Sequence, residues 1–198
     1  MKSILVVIIA MVLCTSITSA QKTKAVLVLK NGDRLEGFAK LNAWDMIRFR
    51  KEKKAKRENY TFDQVDTLKL FEDTEPTIYV KVKIEDKENP KVLELANHGK
   101  NVVSYRDVVR GSMMMTPMPN GGMMTTGYWG SMTYSYLRKT NEEEATYLAS
   151  SAWVALNFRK RASEFFADCP ALVTKIQNRE LKRGDLEEIV DYYNTQCN

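Results

Sequence analysis

Residues 25–41 read AVLVLKNGDRLEGFAKL. Asn31-Gly32 stands between two segments of alternating apolar residues. That is the strongest short-range hairpin signal, because a two-residue turn of the required twist needs positions that tolerate positive φ. Two antiparallel strands follow from it. Gly37 inside the second predicts a bend or bulge, as a strand needs when it curls into a small barrel. Outward from this hairpin, residues 44–51 (WDMIRFRK) alternate apolar and polar and predict a third strand. The basic run KEKKAKREN (51–59) reads as the solvated tip of a hairpin, and YTF (60–62) as its returning strand. Residues 63–66 turn the chain into a fifth strand, TLKLF (67–71).

This order of five short strands, with N-G-D leading to a strand that carries an internal glycine, resembles the SH3-like and Sm-like small barrels. The resemblance covers about a quarter of the chain and speaks to fold, since function on such scaffolds lives in grafted sites. Beyond a connector at Glu72–Pro76, TIYVKVKI places Ile78, Val80, Val82 and Ile84 on one face. A turn at Asp86–Pro90, the return KVLELA, a turn at Asn97–Lys100 and NVVSYRDVV complete a second β meander over 77–139. Within it, residues 111–126 read GSMMMTPMPNGGMMTT, and Pro117, Pro119 and Asn120-Gly121-Gly122 break regular structure at the centre. The following GYWGSMTYSYLRK is aromatic and alternating, so this region reads as two strand arms around a methionine-rich tip.

A helical tail is expected over 140–198. Thr140 and Glu143 have capping-box spacing, and Ala145, Leu148, Ala152, Ala155, Leu156 and Phe166 recur at helical intervals, which predicts one long helix to about Ala167. Pro170 ends it and suits the first turn of a second helix capped by Asp168 or Cys169. Gly184 precedes a third, with Asp185 and Glu188 as a capping pair and Leu186, Ile189, Val190 and Tyr193 as its buried side. The fold class is therefore α+β: an N-terminal SH3/Sm-like antiparallel region at 21–71, a second meander, and C-terminal helices.

Lys2, the uncharged apolar run Ile4–Leu13, and Thr18-Ser19-Ala20 before Gln21 have the pattern of a secretory signal cleaved near Ala20. The apolar run is about half the roughly 20 residues needed to span a bilayer, so no transmembrane helix is expected in the mature chain. Cys14 as a lipidated residue ranks below cleavage, because Leu13 is a poor neighbour for that processing. Loss of the signal leaves Cys169 and Cys197, an even pair that an oxidising compartment would bridge. The expected localisation is secreted, periplasmic or in the cell envelope. The formal charge of +5 then falls to +4 with the loss of Lys2, a modest excess that suits acidic surfaces or polyanionic glycans. Nucleic acid is not an expected partner.

The pieces Asn31–Gly37 (N-G-D-x-x-x-G), Gly99–Tyr105 (G-K-x-V-x-x-Y), Phe165–Ile176 (F-F-x-D-C-P-x-L-x-x-K-I) and Tyr193-Asn194 together resemble a group of uncharacterised secreted proteins of Gram-negative bacteria. The resemblance extends over most of the mature chain and implies no activity.

The chemistry-bearing motifs are sparse. No G-x-S-x-G, H-E-x-x-H, phosphate loop or dinucleotide fingerprint occurs, and a Ser-His-Asp arrangement would have to use His98, the one histidine, from a turn. A two-carboxylate hydrolase stays open, because the separation that matters there is spatial. Met115 and Met118 form M-x-x-M beside Met113, Met114, Met123 and Met124, and thioethers select copper(I). The same residues suit an adaptable partner-binding loop. The expectation is a non-enzymatic binding or structural module without a cofactor, whose partner is a protein or envelope component. Its contact surface would be Met113, Met114, Met115, Met118, Met123 and Met124 with Tyr128, Trp129, Tyr134 and Tyr136. A peripheral membrane contact through Trp129 and the tyrosines is a variant of this reading.

Overall fold

A computed structural model describes residues 23–42, 45–72, 74–111, 113–117, 123–127, 130–151 and 157–197. The signal-like segment, Trp44, Met118, Tyr128 and Trp129 lie outside the described residues, and side chains between 112 and 129 are not described. The N-terminal five strands are β1 (Thr23–Leu29), β2 (Arg34–Leu41), β3 (Met46–Arg50), β4 (Glu58–Thr61) and β5 (Val65–Phe71). They are followed by β6 (Thr77–Ile84), β7 (Lys91–His98), β8 (Val102–Arg110), β9 (Met113–Pro117), β10 (Met123–Gly127), β11 (Ser131–Lys139) and β12 (Glu144–Ser150). Three helices close the chain: α1 (Phe158–Phe165), α2 (Pro170–Gln177) and α3 (Leu186–Gln196).

Ten strands form one sheet in the order β12-β11-β8-β7-β6-β5-β1-β2-β3-β4, and β9 with β10 forms a separate two-stranded ribbon. The β1–β2 register, Val26↔Glu36 and Leu27↔Leu35, is one residue off that of a two-residue Asn31-Gly32 turn: Leu29 N–H donates to the Asp33 carbonyl and Gly32 N–H to the Leu29 carbonyl, so Lys30, Asn31 and Gly32 form a three-residue loop. Gly32 adopts φ 91°, which only glycine takes without strain. At Gly37 the reason for glycine is space. A Cβ there would run into the Arg50 carbonyl oxygen and lie 2.8 Å from the Phe49 ring, so β3 crosses too close for any side chain. Alternation then buries Ala25, Leu27, Ala39, Ile47, Phe49, Phe62, Val65, Leu68 and Leu70 in one core, with Tyr79 and Val92 of the second unit packed against it. The β5–β6 ladder, from Thr67↔Val80 to Leu70↔Thr77, makes the two β regions parts of one sheet.

The first part of the helix expected from Thr140 to about Ala167 is instead a turn and a strand, its last part is the helix α1, and Ala152, Ala155 and Leu156 lie outside the described residues. Thr140 N–H donates to the Asn101 carbonyl and Glu142 N–H to the Lys139 carbonyl, so Thr140–Glu143 joins β11 to β12 rather than capping a helix. Strand β12 pairs antiparallel with β11 and, through Glu144↔Lys83 and Ala145↔Ile84, parallel with β6. The run β6-β7-β8-β11-β12 thereby returns to β6 as a closed ring of five strands. Its interior holds Val82, Ile84, Leu93, Val103, Tyr105, Tyr136 and Ala145. The physical reason is that β6 and β11 each present unpaired backbone groups, and one strand satisfies both, whereas a helix would satisfy neither. Ala145 and Leu148 fit helical spacing, but Ala145, Tyr147 and Ala149 also alternate, and tertiary pairing decides between the two periods.

The helices cover the outside of this ring. Phe158, Ala162, Phe166, Leu172, Ile176, Ile189, Val190 and Tyr193 pack on Val102, Leu137, Leu148 and Ala149 of the sheet. Phe166 is fully buried, a contribution of about 1.5–3 kcal/mol for a side chain of this kind. Leu186, expected on the buried side of the last helix, is partly buried and packs against the same cluster. Cys169 is the N-cap residue of α2 and Pro170 its first residue, as the sequence predicts. Asp168 does not cap; its carboxylate is engaged elsewhere. Nor do Asp185 and Glu188 make the expected pair: Asp185 accepts from the Lys182 backbone N–H at 2.8 Å, closing the 3-10 turn that precedes α3.

Candidate functional site

The C-terminal tail is where most of the sequence motifs converge. Cys169 and Cys197 are joined in a disulfide with Cα atoms 5.7 Å apart, which ties the start of α2 to the end of α3. Above this link, Asp168 Oδ2 accepts from the Tyr193 hydroxyl at 2.7 Å and from Lys139 Nζ at 2.9 Å. The Lys139 ammonium also lies 5.5 Å from the Phe165 ring and 5.8 Å from the Tyr193 ring, so one β11 side chain holds both helix junctions. Burial works to raise the Asp168 pKa, but the Lys139 and Tyr193 hydrogen bonds prevail and hold it below the ordinary carboxylate value. Burial first, then Asp168 itself, pushes the Tyr193 phenol up.

Asn194 reaches the turn between β7 and β8. Its Oδ1 accepts from the backbone N–H groups of Asn101 and Val102, each at 2.9 Å, and its Nδ2 donates to the Val102 carbonyl at 3.2 Å. Asn101 Nδ2 in turn donates to the Cys197 carbonyl at 2.9 Å. Gly99 lies directly under Asn194, and a Cβ at Gly99 would occupy the amide's position. The segments Gly99–Tyr105, Phe165–Pro170 and Tyr193-Asn194 therefore meet in one structural clamp, in which Asp168, Tyr193, Asn101 and Asn194 are each bonded to a distant part of the chain.

The second place is the ribbon. β8 and β11 pair over nine positions, from Lys139↔Val102 to Ser131↔Arg110. Gly111 N–H donates to the Gly130 carbonyl, and the β9–β10 ladder runs from Gly127↔Met113 to Met123↔Pro117, with Met115 opposite Thr125. The methionines at 113–115 and 123–124, expected at the tip between two strand arms, instead lie on paired strands of their own. Val108 and Val109 are 44% and 47% exposed, and because successive strand residues point to opposite faces, the ribbon at this point is covered on neither.

Tyr136 is not part of an exposed arm. It is 6% exposed and meets Tyr147 edge-on at 5.7 Å inside the ring, while half-buried Tyr134 lies 6.3 Å from the same Tyr147 ring. The alternation of GYWGSMTYSYLRK is real, but its tyrosine face turns inward because β12 closes the ring over it. Strand β12 was the missing signal.

No protein-family model, no curated protein and no solved structure matches this chain. The chemistry has to be read from the residues.

At the foot of the ribbon Lys91 Nζ contacts Asp107 Oδ2 at 3.0 Å, and Arg106 pairs with Glu94. Burial would lower the Lys91 pKa, yet its bonds to Asp107 and Tyr136 outweigh that and hold the amine protonated. Burial raises the Tyr136 phenol as well. Asp45, on the β2–β3 connection, is raised by burial and by Asp107, against the lowering by Lys81 and Lys91. A protonated lysine and a protonated phenol are poor bases and nucleophiles at neutral pH, so this group is suited to holding geometry. His98 is the exposed last residue of β7, opposite Val103 in the β7–β8 ladder. Among those residues there is no cluster of three or more His, Cys, Asp or Glu side chains placed for a metal, and no helix long and apolar enough to cross a membrane. The M-x-x-M pair cannot be placed, since Met118 lies outside the described residues.

Proposed function

We propose that the protein is a secreted or envelope-associated binding module whose contact element is the ribbon from Val108 through the methionine hairpin to Ser131. The observation that carries this is the exposure of Val108 and Val109 at consecutive positions beside the β9–β10 ladder. Among the described residues only three large apolar side chains are exposed, and two of them are this pair. Consecutive uncovered valines leading into a methionine-rich sequence suit an adaptable interface. The signal-like N-terminus and the Cys169–Cys197 disulfide support an oxidising compartment. The order β5-β1-β2-β3-β4 and the close crossing at Gly37 support an SH3- or Sm-like N-terminal unit. Its partner is an envelope protein rather than nucleic acid.

The test is chemical crosslinking and pull-down from the native envelope fraction. Wild type is compared with a variant whose residues 113–124 are replaced by a short Gly-Ser turn and with Val108→Ser/Val109→Ser. A partner captured by wild type and lost from both variants, with unchanged circular dichroism, supports the ribbon. Identical capture by all three removes it. Liposome flotation separates the membrane variant of this reading, which fails if wild type stays at the bottom of the gradient.

A further inference from the structure

A second surface, sharing no residue with the ribbon, lies on the outer face of the N-terminal unit. The register Lys24↔Phe38 and Val26↔Glu36 puts these four side chains on the face of β1–β2 opposite the core residues Ala25 and Leu27. The β5 pairing Lys24↔Phe71 brings Phe71 beside them. They floor an open groove of about 1340 Å³ whose walls include Arg34, Lys51, Lys53 and Glu72. Lys53 Nζ stands 5.7 Å from the Phe38 ring. Phe71, at 39% exposure, is the remaining large apolar side chain that the described residues leave to solvent. The wall bearing Lys51 and Lys53 continues into Lys54, Lys56 and Arg57, with Glu52 the one carboxylate in that stretch.

We infer that this groove binds an acidic polysaccharide, a chain of sugars bearing spaced carboxylates. Four properties lead there. The excess of cations on the wall selects a polyanion. The groove is concave, which admits a chain, whereas a flat bilayer would meet only its rim. The exposed Phe71 ring and the half-buried Phe38 ring, the latter with Lys53 beside it, offer apolar platforms for the C–H faces of sugar rings. Glu36 and Glu72 would repel a polymer as densely charged as polyphosphate but accept hydrogen bonds from free hydroxyls. Arg34 Nε lies 3.3 Å from Glu36 Oε1, so wall and floor are in contact there.

The experiment is isothermal titration of the purified protein with a defined galacturonate oligomer, alongside the uncharged galactose oligomer of equal length, polyphosphate, and phosphatidylglycerol vesicles. Binding to the galacturonate oligomer is expected, weakening roughly tenfold between low and 0.3 M salt as exposed charges are screened. Lys51→Glu/Lys53→Glu should abolish it, and Phe71→Ala should weaken it roughly fivefold through the lost ring platform. These side chains are exposed, so the variants keep the wild-type fold, checked by thermal unfolding. No binding to galacturonate overturns the inference, as does equal binding to the uncharged oligomer. Preference for polyphosphate or vesicles over galacturonate, or full binding by the lysine double variant, also overturns it.

Discussion

Asn194 completes the hydrogen bonding of a turn 92 residues earlier in the chain, and it does so with an amide that matches both the N–H groups and the carbonyl it meets. Replacing it with alanine leaves those partly buried backbone groups unpaired, and Asn194→Ala should cost about 2 kcal/mol in urea unfolding. Gly99→Ala should destabilise by a similar amount, about 1–3 kcal/mol, because its methyl displaces the same amide. The two effects share one contact, so the double variant should be less destabilised than their sum, by about 1 kcal/mol. Additivity would mean that Gly99 matters for another reason. Asp168 and Tyr193 carry a pH signature. The Asp168 pKa is depressed in the folded state, so its contribution is present above the unfolded carboxylate value and is lost as pH falls through the folded one. The Tyr193 pKa is raised, so its contribution holds below the unfolded phenol value and is lost as pH rises beyond it. Asp168→Asn should flatten the acid limb of the stability profile and Tyr193→Phe the alkaline limb; an alkaline limb unchanged in Tyr193→Phe would contradict the assignment. The D-C-P motif was visible in the sequence, but a carboxylate beside Pro170 looks the same whether it caps a helix or receives a tyrosine from a distant one.

At the scale of elements, the disulfide and β12 each close something. The Cys169–Cys197 link spans 28 residues, and removing a loop constraint of that length should cost about 3.5 kcal/mol through the unfolded chain. Cys169→Ala/Cys197→Ala is expected to lose that much, and wild type in reductant to match the double variant at neutral pH. Strand β12 seals the five-strand ring, with Ala145 fully buried against β6. Ala145→Glu would put a carboxylate into that seam and should cost more than about 3 kcal/mol in urea unfolding. The N-terminal hairpin, the cleanest strand TIYVKVKI and the last two helices were legible because period, turn chemistry and burial agreed there. In 144–150 the helical and strand periods coexist, and only the open edges of β6 and β11 choose between them.

For the whole molecule, the decisive feature is that the two β units share the β5–β6 ladder and that Tyr79 and Val92 of the second unit pack on the core of the first. Such continuity should make the chain unfold as one body. Leu27→Ala, in the first core, and Leu137→Ala, between ring and helices, should each cost about 3 kcal/mol and lower a single common transition. Two separated transitions in calorimetry, one moved by each variant, would show independent units. The β9–β10 ribbon is a separate two-stranded sheet, and so its replacement should alter binding while leaving that transition in place.

The amino-acid sequence by itself determined the local elements: the Asn31-Gly32 turn, the alternating strands from 23 to 110, the proline-initiated helix at 170 and the pairing of two cysteines. These rest on φ preferences, periodicity and redox chemistry, which act over a few residues or need no geometry. Tertiary structure alone decided that 144–150 is a strand, that Tyr136 faces inward, that Asp168 serves Tyr193, and that Asn194 fills the space above Gly99. Each of those depends on which unpaired backbone edge or unfilled volume a distant segment meets, and that is set only when the sheet has closed.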